Sequence, residues 1–207
     1  SVNSPNAGLS YSGHAGNNAW VLNADGYGMF TFYNLLIDNY HVVPNFDIPG
    51  IMSGSGNCLS LDGIDDFVDA GSVLSASYTK EAWVNWQGGT QANNIISGAQ
   101  NTAFWVPNGV LSAGHNSAWW QVADNVTLTP NQWTHVAVSY AATSGELSLY
   151  KNGKLISQAQ NVPAHNDPVV YIGAYGGCCT FQGKIDEVRI WDTVRTIEEI
   201  RAHMCQK

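Results

Sequence analysis

The sequence predicts an all-β protein, an antiparallel sandwich or barrel closed by one short C-terminal helix. Three observations carry this expectation. Only 12 % of the 207 residues are charged, while Gly, Asn, Ser, aromatics and Val are abundant, which suits strands and turns more than long helices. Short alternating or β-branched runs recur from residue 57 onward, with turn residues between nearly all of them. Asn152-Gly153, set between two alternating runs, is the strongest hairpin signal in the chain. A chain of this length buries a sizeable core as one domain.

In order, residues 1–56 read as an N-terminal extension expected to pack on the main body as added strands, and residues 57–207 as the main domain. The extension starts polar, then shows strand-like runs at 19–22, 29–33 and 35–43, punctuated by Pro44, Pro49 and Gly50. In the main domain strands are expected at 58–61, 67–70, 81–87, 94–97, 103–106, 110–113 and 118–123. Further strands follow at 133–140, 146–151, 154–158, 169–174 and 183–192. Trp133, His135 and Ala137 alternate with Val136, Val138 and Tyr140, so that strand carries apolar bulk on both faces and belongs inside a sandwich. In the closing run, simple alternation puts Ile185, Glu187, Arg189 and Trp191 on one face. Asp186, Val188 and Ile190 then lie on the other. Thr196 with Glu199 three residues on forms a capping box, and Ile197, Ile200 and Met204 share a helical face.

The charge balance excludes some functions. The formal net charge is −8 and Lys plus Arg number eight, so no basic surface is available to displace nucleic-acid counterions. Attraction to anionic membranes is disfavoured for the same reason, and no apolar run reaches the roughly 18 residues of a membrane span. The acidic balance is compatible with divalent cations. The chain opens Ser1-Val2-Asn3, without an initiator Met or an apolar leader core, so either a leader has been removed or the start is internal. With the low charge, this points to a secreted or extracellular setting.

Four cysteines, Cys58, Cys178, Cys179 and Cys205, allow three pairings and lack the two C-x-x-C pairs of a zinc site. A Cys58–Cys205 disulfide would tie the ends of the domain and leave Cys178-Cys179 as a vicinal disulfide. Pairing of Cys58 with Cys178 or Cys179, and four reduced thiols, stay open.

Five phrases occur in one order. The first three are Leu59-Ser60-Leu61-Asp62-Gly63-Ile64-Asp65-Asp66-Phe67-Val68, Lys80-Glu81-Ala82-Trp83-Val84 and Gln132-Trp133-Thr134-His135-Val136-Ala137-Val138. The last two are Leu149-Tyr150-Lys151-Asn152-Gly153-Lys154 and Phe181-Gln182-Gly183-Lys184-Ile185-Asp186-Glu187-Val188-Arg189-Ile190-Trp191. Together they resemble the laminin-G-like branch of the concanavalin A-like jelly rolls, related to pentraxins, over roughly residues 57–204. The resemblance implies an antiparallel two-sheet jelly-roll sandwich for residues 57–207, its two curved sheets packed face to face, and binding of glycans or extracellular proteins.

Two constellations could carry that chemistry. The acidic turn Asp62-Gly63-Ile64-Asp65-Asp66 supplies carboxylates and turn carbonyls, the mixture calcium takes, though not with EF-hand spacing. In jelly rolls of this type the first and last strands are neighbours, and the Asp of the closing strand often holds a structural calcium. The resemblance therefore implies a Ca2+ site of Asp62, Asp65 and Asp186. The competing reading is that Asp62 and Asp65 cap their own turn by side-chain to backbone bonds.

For sugar binding, aromatic rings stack on sugar C–H faces while a few polar groups fix hydroxyls. Trp105, His115, Asn116, Trp119 and Trp120 cluster within two adjacent expected strands and their loop, and alternation would place Trp119 and Trp120 on opposite faces. The loop Tyr175-Gly176-Gly177-Cys178-Cys179 adds candidates in Tyr175, Gly177, Cys178 and Cys179, since its glycines allow close approach of a ligand. Trp83, Trp133 and Trp191 are assigned to packing, as is His135.

The expected function is a non-catalytic, calcium-bearing, glycan-binding lectin, in which calcium orders the loops or ligates sugar hydroxyls directly. Weak single sites would favour a homo-oligomer. The alternatives are an extracellular adhesion or protein-interaction module and a polysaccharide-acting enzyme. For the last, the Glu-x-Asp-x-x-Glu strand pattern, a nucleophile elbow and an H-E-x-x-H run are all absent.

Overall fold

The computed structural model describes residues 58–204, together with four short strands nearer the N-terminus. The chain divides into two compact units, Ser1–Gly54 and Ser55–Lys207. In the first, β1 (Val2–Ser4) pairs antiparallel with β2 (Leu9–Tyr11), and β3 (Leu35–Asp38) with β4 (His41–Pro44). The run read as one strand over 35–43 is thus a hairpin, with Asp38 opposite His41. The runs at 19–22 and 29–33 lie outside the described residues.

The second unit is a two-layer sandwich. Its strands are β5 (Leu59–Asp62), β6 (Val68–Ser72), β7 (Tyr78–Trp86), β8 (Ile96–Ser97), β9 (Thr102–Trp105) and β10 (Ser112–His115). They continue with β11 (Val122–Ala123), β12 (Trp133–Ala141), β13 (Glu146–Lys151), β14 (Lys154–Ala159), β15 (Val169–Ile172) and β16 (Gln182–Trp191). One sheet runs β14-β13-β12-β7-β16-β5, antiparallel throughout, so the closing strand lies beside the opening one as the resemblance implies. The other layer is made of β6-β15-β8 and β11-β10-β9. Bonds from Ile95 N to the Phe104 carbonyl (2.8 Å) and from Val106 N to the Asn93 carbonyl (2.9 Å) join its halves.

Between the layers Val84, Val136, Val138, Leu149 and Ile185 meet Ile96, Phe104, Ala113, Val122 and Val170. The central strands are covered on both sides. Tyr78, Lys80, Ala82 and Val84 of β7 point inward, while Thr79, Glu81 and Trp83 point outward and are also buried. Helix α1 (Ile197–His203) covers that outer side. Its capping box forms as expected: Thr196 accepts from Glu199 N at 3.2 Å, and Glu199 accepts from Thr196 N at 2.9 Å. Ile200 packs on Ala137 and Tyr150, and the Trp83 indole donates to the Met204 carbonyl at 2.8 Å. Glu81 lies in the same layer, accepting from the Trp191 indole at 2.9 Å, with His135 3.4 Å away. Burial raises the Glu81 pKa, but His135, Trp191 and Arg189 outweigh it and hold the carboxyl below its usual range.

The alternation expected along the closing strand is interrupted. Asp186 stands opposite Trp83 and Arg189 opposite Glu81, so Glu187 and Val188 together oppose one residue in a β-bulge, and Glu187 has φ +50°. The extra residue inverts the phase. Ile185 shares the inner face with Val188 and Ile190, while Arg189 and Trp191 join Asp186 outside.

The interior also holds an ammonium group. Lys80 is fully buried, donating from Nζ to the Ile96 carbonyl (3.1 Å) and the Thr102 hydroxyl (3.4 Å), 5.0 Å from the Tyr78 ring centroid. Burial pushes its pKa down to about 7, against the opposing pull of Asp167.

Candidate functional site

The outer face of the second layer carries the candidate site. Along β9, Thr102 and Phe104 point into the sandwich, which turns Ala103 and Trp105 outward. After β10 the chain reverses through Asn116 and Ser117, at φ +51° and +70°, with Ala118 N bonded to the His115 carbonyl at 2.9 Å. Two positive-φ residues give the turn the sense of type I′. It then crosses over Gly114, where a Cβ would lie 1.9 Å from the Ala118 oxygen and 2.9 Å from the Trp119 carbonyl carbon. The bare glycine therefore sets where Trp119 and Trp120 stand. Gly114→Ala is expected to displace this segment and lower ligand affinity at least about tenfold, or about 1.4 kcal/mol. Titration calorimetry beside a thermal melt checks this.

The expected strand over 118–123 is confined to β11, so Trp119 and Trp120 lie in a turn and the alternation rule does not apply to them. Trp120 is 58 % exposed and tilts against Trp105, with ring centroids 4.8 Å apart. Trp119 is half-buried and meets Tyr175 edge-on at 5.5 Å, and its carbonyl accepts from the Trp105 indole at 3.0 Å. Tyr175 and Cys178 close a tight hairpin through two bonds of 2.8 and 2.9 Å, with Gly176 and Gly177 at φ +55° and +77°. Together these pieces enclose a pocket of about 210 Å³ lined by Ala92, Asn94, Ala103, Trp105, Trp119, Tyr175 and Cys179.

Of the sequence-derived candidates, Trp105, Trp119, Tyr175 and Cys179 thus meet in one pocket, with Trp120 beside it. Gly177 and Cys178 are exposed in the adjoining turn, and Asn116 is exposed, donating to the Ala164 carbonyl at 3.0 Å. His115 is a correction. It is 0 % exposed, and its Nδ1–H donates to the Pro163 carbonyl (3.2 Å) while Nε2 accepts from the Tyr78 hydroxyl (2.7 Å). Burial pushes its pKa down to about 3, with the neighbouring His165 and Lys80 adding to the shift against the Pro163 bond. It is a core histidine packed among Tyr78, Tyr140 and His165. Ala92, Asn94 and Ala103 were not among the expected site residues. The two-residue step from Ala103 to Trp105 is a signal for the last; for Ala92 and Asn94, in a loop, there is none.

Cys58, Cys178 and Cys179 are free in the structure, and Cys205 lies outside the described residues. The Cys178 and Cys179 sulfurs stand 2.7 Å apart without a bond, so the vicinal disulfide is not formed.

The acidic turn gathers Asp62, Asp65 and Asp66, all exposed, with one ligand atom from each within 4.8 Å of the others. Asp186 is not in this group. Gln182 pairs with Asp62, and Asp186 stands four residues further along β16, roughly 13 Å at strand rise. Its Oδ1 accepts from Glu187 N at 2.8 Å. The turn-capping bonds exist as well: Asp62 Oδ1 accepts from Ile64 N (2.7 Å), and Asp66 Oδ2 from Asp62 N (3.2 Å). Each of those two carboxylates keeps a second oxygen, and Asp65 both of its own. This all-oxygen donor set fits a hard cation such as calcium.

Two antiparallel sheets face to face, with the closing strand between the opening strand and the centre, define a concanavalin A-like jelly roll. The family model described as the Concanavalin A-like lectin/glucanases superfamily, of laminin G type, matches residues 62–201, and the chain belongs to that family. The Pentraxin-related protein PTX3 of Mus musculus is 29 % identical over a 96-residue alignment that covers 40 % of this chain and 25 % of that protein. The chain therefore spans about a quarter of the length of that curated relative. Among solved structures, a native heptameric SAP-like pentraxin from Limulus polyphemus superposes with a TM-score of 0.55 at 16 % identity, covering 69 % of this chain and 78 % of that one. Domain 4 of an extracellular arabinanase from Geobacillus stearothermophilus, solved with arabinotriose, gives 0.54 at 21 %, covering 73 % and 83 %.

Proposed function

We propose that this domain is a secreted, glycan-binding lectin-like module that carries out no catalysis. One observation bears most of the weight. The outer face of one sheet is covered over Trp83, Ala137 and Tyr150 by α1, whereas the outer face of the other presents an aromatic-walled pocket with the exposed Trp120 beside it. A sugar would lay its C–H face on Trp120 and place an edge in the pocket, while Asn116 and the neighbouring loop backbone meet outward hydroxyls. The buried carboxyl of Glu81 lies in the opposite sheet beneath the helix and is held below its usual range, unlike the raised acid a glycosidase requires. The arabinotriose complex of a similarly folded domain supports the class of ligand, and the heptameric pentraxin supports assembly into a multivalent oligomer.

Calcium at Asp62, Asp65 and Asp66 belongs to the same reading, as a cation that would fix the turn between β5 and β6. A second reading, a protein-interaction module, is favoured by Leu59, Ile64, Phe67, Val68 and Val73, which are exposed on and around these two edge strands. A glycan array run with and without chelator separates the claims. Binding to a restricted set of glycans is expected, with a lower melting temperature once calcium is removed. An array blank under both conditions defeats the lectin reading, and unchanged melting defeats only the calcium.

A further inference from the structure

The polar groups around the pocket are already engaged, and this limits what can enter. Asn94 donates from Nδ2 to the Cys179 carbonyl at 2.8 Å and accepts on Oδ1 from the Ser97 hydroxyl at 2.8 Å. The Tyr175 hydroxyl donates to the Gln100 carbonyl, and the Trp105 indole N–H is taken up by Trp119. What the walls offer is the methyl groups of Ala92 and Ala103, three aromatic rings and the Cys179 thiol. Burial, and then Cys178 beside it, push that thiol up to about 11, so it stays neutral. No lining residue is cationic. Burial, and then the Asp167 carboxylate, push the Tyr175 phenol up, so it too stays neutral. At about 210 Å³ the space has room for one substituent and the ring edge bearing it.

Resting on the glycan-binding reading above, we propose that the pocket is a subsite for an apolar substituent of an uncharged sugar, either the methyl of a 6-deoxyhexose or that of an N-acetyl group, with the ring lying over Trp120. A hydroxyl placed there gives up its water partners and meets a lining that is almost wholly apolar, its few polar groups already engaged with the protein. Leaving it unpaired corresponds to about a five- to hundredfold loss of affinity. A methyl gains instead, by about fourfold for its burial.

The test is calorimetric titration with matched sugars. Methyl fucoside against methyl galactoside of the same configuration reads a methyl in place of a hydroxymethyl. N-acetylglucosamine against glucose reads the acetamido group, and sialyllactose supplies an anionic sugar. One methyl-bearing member is expected to bind at least about tenfold more tightly than its partner, and the pair that shows it identifies the substituent. Ala92→Leu, which fills the pocket from its loop side, is expected to erase that preference, and Trp119→Ala to erase it if the leucine variant misfolds. Equal affinities within both pairs, preference for the hydroxylated or anionic member, or full preference retained in the folded variants would overturn the subsite while leaving the lectin reading in place. Failure of every sugar to bind overturns both.

Discussion

Trp119→Ala is expected to reduce glycan affinity by more than about tenfold while the fold survives. The ring forms a wall of the pocket and meets Tyr175 edge-on, so its removal opens the pocket and deprives the ligand of an aromatic face. The backbone carbonyl that anchors Trp105 stays in place in the variant. Because the side chain is half-buried and outside the interlayer core, the stability change should not exceed about 1 kcal/mol. Trp83→Ala is the contrasting control. That ring is 0 % exposed beneath α1, and its loss should destabilise the domain by about 3–5 kcal/mol, reducing binding only through unfolding. Calorimetry and thermal melting of both variants check the pair. Equal affinity in wild type and Trp119→Ala would place the ligand elsewhere.

Lys80→Met is expected to stabilise the domain by about 1–4 kcal/mol at neutral pH. A buried ammonium group carries a desolvation penalty that the bonds to the Ile96 carbonyl and Thr102, the Tyr78 ring and the pull of Asp167 offset only in part, and methionine fills a similar volume. The pH dependence has a definite sign. Lys80 holds its proton up to about 7 when folded and to its ordinary 10.5 when unfolded. Between these values the unfolded chain binds the extra proton, so stability rises with pH through that window and is least favourable below it. Wild type should therefore gain melting temperature from pH 7 to 9, and Lys80→Met should lose that part of the slope. A variant that is less stable with the slope intact would show that the ammonium is compensated in its site.

Much of this was legible because the determinants are local. The turn residues, the Asn152-Gly153 hairpin and the Thr196–Glu199 cap act over a few residues, and all stand where the pattern puts them. The bulge at Glu187 and Val188 has no such signature. It is set by pairing against β7, and one extra residue moves Arg189 and Trp191 to the other face of the sheet. Asp186 misses the acidic turn for a related reason, since adjacency of first and last strands leaves their register open. The aromatic cluster was readable as composition, but its geometry depends on Gly114 admitting the Ala118 carbonyl, a contact that spacing does not encode. His115 illustrates the same limit: a histidine directly before an exposed turn is itself buried, through Tyr78 and Pro163.

The most direct measurement is an NMR titration of the indole N–H signals of the eight tryptophans with a glycan selected on an array. The signals of Trp105, Trp119 and Trp120 should shift in proportion to saturation, while those of Trp83 and Trp191 beneath the helix stay in place. Shifts confined to tryptophans outside the pocket, or none at a concentration that saturates binding, would contradict the site.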